Sequence, residues 1–377
     1  MEEEAMLERF SVKGYRNFKD EIVFDLKRHG RYDFNTELIQ SGIVNKGIIY
    51  GKNGTGKSNL GRALFDIEKN LMIHNNKNIF AFDTNPTYCC LDSNKDVFFS
   101  YSFRFGKDSL VYEYHKKDAF YVSSEKIFIN EELMFDYTGD KGNVFCKFPG
   151  TENLSFASMN DGFSALSFLY RTFEFKDSPL SKLFDFVSSM LWFRCLTKGN
   201  EFEGIGLNED IEQRIVTEDK LEDFQNFLKS FGLEYDLILK AQINIATGRS
   251  VKRIFAKFKH GEVPLAAIFS TGTQALELLY YWKMHFSKYK FIFIDEFDAF
   301  YHYELSAEVI KILNEGTTFQ SFVTTHNTSL MNNDLMRPDC LFLISDNKIK
   351  NLADCTSKDL REGHNLEKIY RSNDFNV

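Results

Sequence analysis

Gly47-Ile48-Ile49-Tyr50 runs directly into Gly51-Lys52-Asn53-Gly54-Thr55-Gly56-Lys57-Ser58, and Asn59 to about Leu71 then carries apolar residues at helical spacing. An apolar strand, a glycine-rich loop and a helix, in that order, are what a phosphate-binding loop requires. Glycines let successive backbone N–H groups turn toward one anion, and the helix that follows points the positive end of its dipole at the same place. Contacts to a bound nucleotide are therefore expected from Gly51, Asn53, Gly54, Thr55, Gly56, Lys57, Ser58 and Asn59. Lys57 is placed to reach the β- and γ-phosphates of ATP, and the Ser58 hydroxyl to ligate Mg²⁺.

Such a loop needs acids beside it, and Phe291-Ile292-Phe293-Ile294-Asp295-Glu296 supplies two. Carboxylates are costly inside an apolar strand, so both should emerge at its C-terminal end, where α/β folds bind ligands. Asp295 suits Mg²⁺, directly or through water, and Glu296 suits polarisation of the attacking water. Thr324-Thr325-His326 ends another short strand, where a histidine can hydrogen-bond a terminal phosphate and sense its presence. Ser270-Thr271-Gly272-Thr273-Gln274 precedes an amphipathic helix. It resembles the signature motif of ATP-binding-cassette (ABC) ATPases, in which Thr271 to Gln274 would face an ATP held by another subunit. There Thr271 would offer a hydroxyl, Gly272 close backbone approach, and the helix start its dipole. A plain Ser/Thr helix cap is the other reading. Asp298 falls in the loop that crosses the dimer interface in such ATPases, and His302 reads equally as an interface contact or a helix start.

Working outward, Leu7, Phe10, Val12 and Ile22, Phe24, Leu26 alternate as two short strands around Gly14-Tyr15-Arg16-Asn17-Phe18, read as a hairpin turn rather than as part of the nucleotide site. Alternation at Phe99–Phe105, Leu110–Tyr114 and Ile127–Ile129 predicts an antiparallel meander, whereas 155–196 and 208–238 have helical spacing. From about 255, strands and helices alternate, which implies a parallel sheet with helices on its faces. The expected fold is α/β, a P-loop NTPase with an ABC-ATPase head: a parallel-sheet core plus N-terminal antiparallel strands, interrupted by an α+β insertion. The boundaries read as 1–78 for the N-terminal half of the head, 79–254 for the insertion and 255–377 for the C-terminal half. No heptad repeat points to a long coiled-coil arm.

The 377 residues carry 46 Lys+Arg against 54 Asp+Glu, a formal charge of −8. That balance argues against a nucleic-acid coat protein, which needs clustered cations, and leaves a local basic stripe open. The acidic start Met1-Glu2-Glu3-Glu4 lacks the basic region of a secretory signal, and no apolar run reaches the ~18 residues that span a bilayer, so a cytoplasmic protein without membrane contact is expected. Cys89, Cys90, Cys146, Cys195, Cys340 and Cys355 show no metal-ligand spacing and read as reduced structural thiols. The 40 Phe read as core filler rather than as a base-stacking platform.

Together the motifs resemble the prokaryotic ABC-like ATPases related to the overcoming-lysogenisation-defect proteins but lacking a fused nuclease. The resemblance rests on Phe10-Ser11-Val12-Lys13-Gly14-Tyr15-Arg16-Asn17-Phe18, on Tyr50 to Asn59, and on Phe258-Lys259-His260 leading into Pro264-Leu265 and the signature. It continues through Ile294 to Asp298 with His302, Thr324-Thr325-His326 and Asn365-Leu366-Glu367-Lys368-Ile369-Tyr370. It covers both ends of the chain well and the middle loosely, and Phe300-Tyr301-His302-Tyr303 departs from the smaller residues usual around the histidine. The resemblance implies ATP and Mg²⁺ as cofactors and an ATP-sandwich dimer or higher homo-oligomer. It also implies a separately encoded Toprim-like effector nuclease as partner, as in phage-defence pairs of the PARIS and Rlo/AbiL types, with a phage protein as trigger. Nucleic acid is not indicated. A RecF-type DNA-repair ATPase, similar in length and N-terminal strand pair, is the alternative. A built-in nuclease is disfavoured because little chain follows His326.

Overall fold

Runs such as Gly47–Tyr50 and Phe291–Ile294 have no polar face, so they suit central strands covered on both sides. The structure, a computed structural model, describes residues 4–27, 30, 32–72, 88–91, 96–139, 144–152, 155–157, 159, 162–194, 202–203, 211–243, 248 and 250–377. Met1 to Glu3, Cys195 and the boundary at 78/79 lie outside these residues.

In chain order, β1 (Ala5–Lys13) and β2 (Ile22–Asp25) form a hairpin, β3 (Ile39–Gln40) and β4 (Ile43–Val44) a small ribbon, and β5 (Lys46–Tyr50) leads into α1 (Lys57–Leu64) and α2 (Asp66–Met72). The meander follows: β6 (Val97–Phe105), β7 (Asp108–Lys116), β8 (Val122–Ile129), β9 (Glu132–Tyr137) and β10 (Val144–Cys146). Then come α3 (Ala165–Thr172), α4 (Pro179–Ser188), β11 (Met190–Arg194), β12 (Phe202–Glu203), α5 (Ile211–Thr217) and α6 (Leu221–Ser230). A three-stranded sheet of β13 (Asp236–Ile243), β14 (Ser250–Phe258) and β15 (Gly261–Pro264) precedes α7 (Leu265–Ile268) and α8 (Thr271–His285). The chain closes with β16 (Phe291–Asp295), α9 (Tyr303–Glu315), β17 (Gln320–Thr325), β18 (Leu341–Ser345), β19 (Lys348–Asn351) and α10 (Leu366–Arg371).

The core sheet has the order β12-β11-β16-β17-β5-β18-β19, and its five inner strands, β11 to β18, are mutually parallel. Every residue of β5, β16 and β17 is buried, polar Lys46, Asp295, Gln320, Ser321, Thr324 and Thr325 included. The second sheet, β10-β9-β8-β7-β6-β1-β2, is antiparallel. Phenylalanines join the layers. Phe24 of β2 meets Phe322 and Phe342 edge-on at 5.1 and 5.0 Å, and Phe186 of α4 lies between Phe103 and Phe291. Buried Gln320 is fully used: its Oε1 accepts from Leu7 N, and its Nε2 donates to the carbonyls of Leu7 and Val44, tying β1 to the start of β17.

The meander within 79–254 continues the sheet of the N-terminal strands, because β6 pairs with β1 from Lys13↔Phe98 to Ala5↔Phe105. One expectation takes a different form in the structure. The helical stretch expected to 196 ends at α4, and Met190-Leu191-Trp192-Phe193-Arg194 forms a strand of the core sheet beside β16. A short apolar run fits a buried strand or a buried helix equally well, and pairing with β16 selects the strand. The helical stretch expected from 208 is described from Ile211 as α5 and α6. Cys89, Cys90, Cys146, Cys340 and Cys355 are free thiols. Among the described residues no helix is long and apolar enough to cross a membrane.

Candidate functional site

Parallel strands deliver their C-terminal ends to one edge of the sheet, and this edge collects Tyr50 with the loop after it, Arg194, Asp295 and Thr325 in adjacent strands. Two glycines let the phosphate-binding loop sit there. Gly56 has φ +104° and is so close to Asn17 and the Phe18 ring that a Cβ would lie 2.7 and 2.8 Å from them. In α1, a Cβ on Gly61 would lie 2.6 Å from the Phe293 ring, so its absence lets the helix rest on β16. No side chain caps α1 at Gly56, which leaves the first-turn N–H groups for an anion.

Lys57 folds back over the loop. Its Nζ donates to the carbonyls of Gly51 and Lys52 at 2.8 and 3.3 Å and lies 2.9 Å from Nε2 of His326. Burial lowers the Lys57 pKa, partly offset by Glu296 and Asp295. His326 is also held below its usual value, by burial and then by the Lys57 charge, so at neutral pH it meets Lys57 as an uncharged imidazole. The Thr55 hydroxyl donates to Lys52 O, and Asn59 Nδ2 donates to Asn17 Oδ1 at 2.6 Å. Asn53 and Gly54 are exposed, and Gly51 and Ser58 half-buried.

The acids are held by a relay that begins on β17. Glu296 N–H donates to Thr324 Oγ1 and Thr324 Oγ1 donates to Asp295 Oδ1, both at 2.7 Å. The relay holds Glu296 at φ 50°, a left-handed backbone that an L-residue adopts only when its surroundings enforce it. Asp295 is fully buried, while Glu296 stays partly open. Asp298 Oδ2 accepts from Thr325 Oγ1 at 2.7 Å, and burial raises its pKa against that hydrogen bond. Thr324→Val keeps the shape but strips both partners at once. It should cost about 2–3 kcal/mol, read as a lower urea midpoint with an unchanged m-value.

Asn53, Glu296, Asp298, Ala299, Tyr301, His326 and Asn327 line a cleft of about 520 Å³. Thr271 to Gln274 are not part of that lining. Ser270 caps α8 by accepting from Thr273 N–H, Thr273 is buried with its hydroxyl 2.9 Å from Ser270 Oγ, and Thr271 and Gln274 are exposed. Gly272 packs close to the loop after the acids, where a Cβ would lie 3.1 Å from Phe300 O. His302 caps α9 through Nδ1, so the helix-start reading describes its place.

Residues 199–332 match a family model described as "AAA domain, putative AbiEii toxin, Type IV TA system". The match takes in Ser270 to Gln274, Asp295, Glu296 and His326 and does not reach the loop at 51–58. With that loop in place, the chain carries a P-loop ATPase domain, which implies nucleotide binding. The chain is also similar to solved SMC heads. One, bound to the C-winged helix domain of ScpA, is 18% identical over 91% of this chain and 96% of that one, with a TM-score of 0.43. A head domain from Thermotoga maritima is 14% identical over 91% and 97%, with a TM-score of 0.40. A head with an extended coiled coil, bound to the C-terminal domain of ScpA derived from Pyrococcus furiosus, is 11% identical over 92% and 95%, with a TM-score of 0.40. No curated protein matches.

The donor set fits a divalent cation. Asp295 Oδ2 is buried without a hydrogen-bond partner, an orphaned acceptor beside the phosphate-binding loop, and Ser58 lies in the first turn of α1. Among the described residues no group of three or more His, Cys, Asp or Glu could hold a metal. A cation here would therefore complete its shell with phosphate oxygens and water, as Mg²⁺ does.

Three residues of the site escape a reading of the sequence. Asn17 lies in the presumed hairpin turn yet braces Asn59 and Gly56. Thr324 carries the relay. Arg194 lies opposite Asp295 in register, with Nη2 donating to Glu296 Oε2 at 3.2 Å and Nε 3.5 Å from Asp295 Oδ2. The place of Asn17 in the turn between β1 and β2 and the polar end of Trp192-Phe193-Arg194 are local signals, and both are weak.

Proposed function

We propose that this chain is an ABC-type ATPase that binds and hydrolyses Mg²⁺·ATP at interfaces between two copies of itself and controls a separately encoded Toprim-like effector in antiviral defence. The observation that carries the composite site is the separation just described. Glu296 and His326 line one cleft and Lys57 Nζ lies against His326 behind it, while Thr271 and Gln274 are exposed outside its lining, at a helix start free to meet a second copy. In this reading Ser58 and Asp295 hold the cation, Lys57 and the loop hold the phosphates, Glu296 orients water and His326 senses the γ-phosphate. The metal supplies charge neutralisation at the phosphates when bound. The defence role rests on the motif resemblance, with support from the toxin–antitoxin wording of the matching family model.

The test is sedimentation velocity with and without Mg²⁺·ATP, using the hydrolysis-slowed Glu296→Gln chain. ATP should convert monomer to dimer, and adding Gly272→Asp should abolish the dimer while leaving ATP affinity near wild type, because the introduced carboxylate meets the partner's phosphates. ATP-saturated monomers would reject the composite site. For the partner, a Toprim-type reading frame next to this gene, co-expressed, should co-purify with the chain; a repair-gene neighbourhood would favour the RecF-type alternative instead.

A further inference from the structure

Arg194 is the cation that the motifs do not account for. Strand pairing sets it opposite Asp295, and its guanidinium spreads across two carboxylates instead of gripping one: Nη2 reaches Glu296 at 3.2 Å, while Nε stays 3.5 Å from Asp295 Oδ2. Neither contact is the bidentate fork that makes an arginine–carboxylate pair strong. Both Nε of Arg194 and Oδ2 of Asp295 are buried and lack a hydrogen-bond partner, so they face each other as charges without bonding. Asp295 is 0% exposed and Arg194 about one-fifth exposed. A carboxylate at that depth needs a counter-charge, and among the described residues Arg194 brings Nε to 3.5 Å from its open oxygen. With Lys57 nearby, two cations stand against Asp295 and Glu296.

We infer that Arg194 is a resident counter-ion for the acid pair, a positioning residue that holds Asp295 and Glu296 in place and competes with a divalent cation for Asp295 Oδ2. The inference rests on reading the cleft as an Mg²⁺·ATP site. A cation held on Asp295 Oδ2 would have to replace the loose Nε contact, leaving Arg194 on Glu296. Mg²⁺ alone would therefore be held more weakly with Arg194 present than without it.

The experiment uses the full chain as wild type, Arg194→Met and Arg194→Lys, with two readouts other than turnover. In the first, thermal unfolding without nucleotide is followed in EDTA and across a Mg²⁺ series. Arg194→Met should melt lower than wild type in EDTA, because two adjacent carboxylates lose their counter-ion, and Mg²⁺ alone should restore it. In the second, binding of a fluorescent ATP analogue is titrated against Mg²⁺. The half-saturating Mg²⁺ concentration should fall about tenfold in Arg194→Met, with Arg194→Lys between it and wild type, since lysine keeps the charge but loses the second donor. An unchanged or raised Mg²⁺ midpoint would overturn the proposal, as would an EDTA melting loss that Mg²⁺ does not repair. If Arg194→Met does not fold, the Arg194→Lys midpoint decides alone. If the wild type binds no ATP analogue at any Mg²⁺ level, the ATPase reading fails, and the nucleotide-free melting arm still tests the counter-ion.

Discussion

Replacing Lys57 with alanine should abolish measurable ATP binding, with affinity falling by at least about 100-fold, or roughly 3 kcal/mol, in isothermal titration calorimetry. Lys57 is buried at the start of α1, its Nζ resting on the carbonyls of Gly51 and Lys52. Those carbonyls hold the ammonium over the loop that the phosphates would occupy. The loop N–H groups and the α1 dipole survive the substitution, but they carry partial charges, and a polyphosphate taken out of water needs a full one. Stability should change little, because the cost of burying an ammonium disappears along with its hydrogen bonds. Retained affinity would sink the phosphate-loop assignment; lost affinity together with a collapsed melting temperature would mean that Lys57 is structural.

Glu296→Gln should separate binding from hydrolysis. Nucleotide affinity is expected to stay within a few-fold of wild type while turnover falls about 10²- to 10⁴-fold, the range that a positioned general base contributes. Glu296 is suited to that task by placement. Its backbone is pinned by Thr324, its carboxylate is partly open to the cleft beside His326, and Asp295 is fully buried next to it. Glutamine keeps the size and can still meet Arg194 through its carbonyl, so the fold survives, but it cannot take a proton from water. Single-turnover measurement of phosphate release, paired with equilibrium binding, checks both halves. Wild-type turnover would remove Glu296 from the chemistry.

How much of this was legible in sequence follows from which interactions are local. The loop at 51–58 and the acids after Phe291–Ile294 announce themselves because each follows a continuous apolar run of the kind a buried parallel strand makes, and the run's polar end marks the edge of the sheet. The helix starts at Ser270 and His302 are also local, since a cap is set by the backbone N–H groups three residues on. The abundant phenylalanine is core filler in the layers joined by Phe24, Phe103, Phe186, Phe291 and Phe322.

Arg194 shows where local reading stops. In sequence it follows a four-residue apolar run that fits a helix as well as a strand, about a hundred positions from the acids it faces. Only the parallel pairing of β11 with β16 makes it the neighbour of Asp295. Asn17 is similar: the stretch is a turn, as its residues demand, but the packing of β1 and β2 against the core sheet brings that turn under Gly56. Thr324 is one threonine among strand residues until β17 lies beside β16 and its hydroxyl bridges Glu296 N–H to Asp295. The amino-acid sequence by itself determined the chemistry offered at each strand end, because burial periodicity and backbone capping act over a few residues. Only the tertiary structure decided which of those ends are neighbours and which cation faces which acid, because strand order joins residues that chain distance keeps apart.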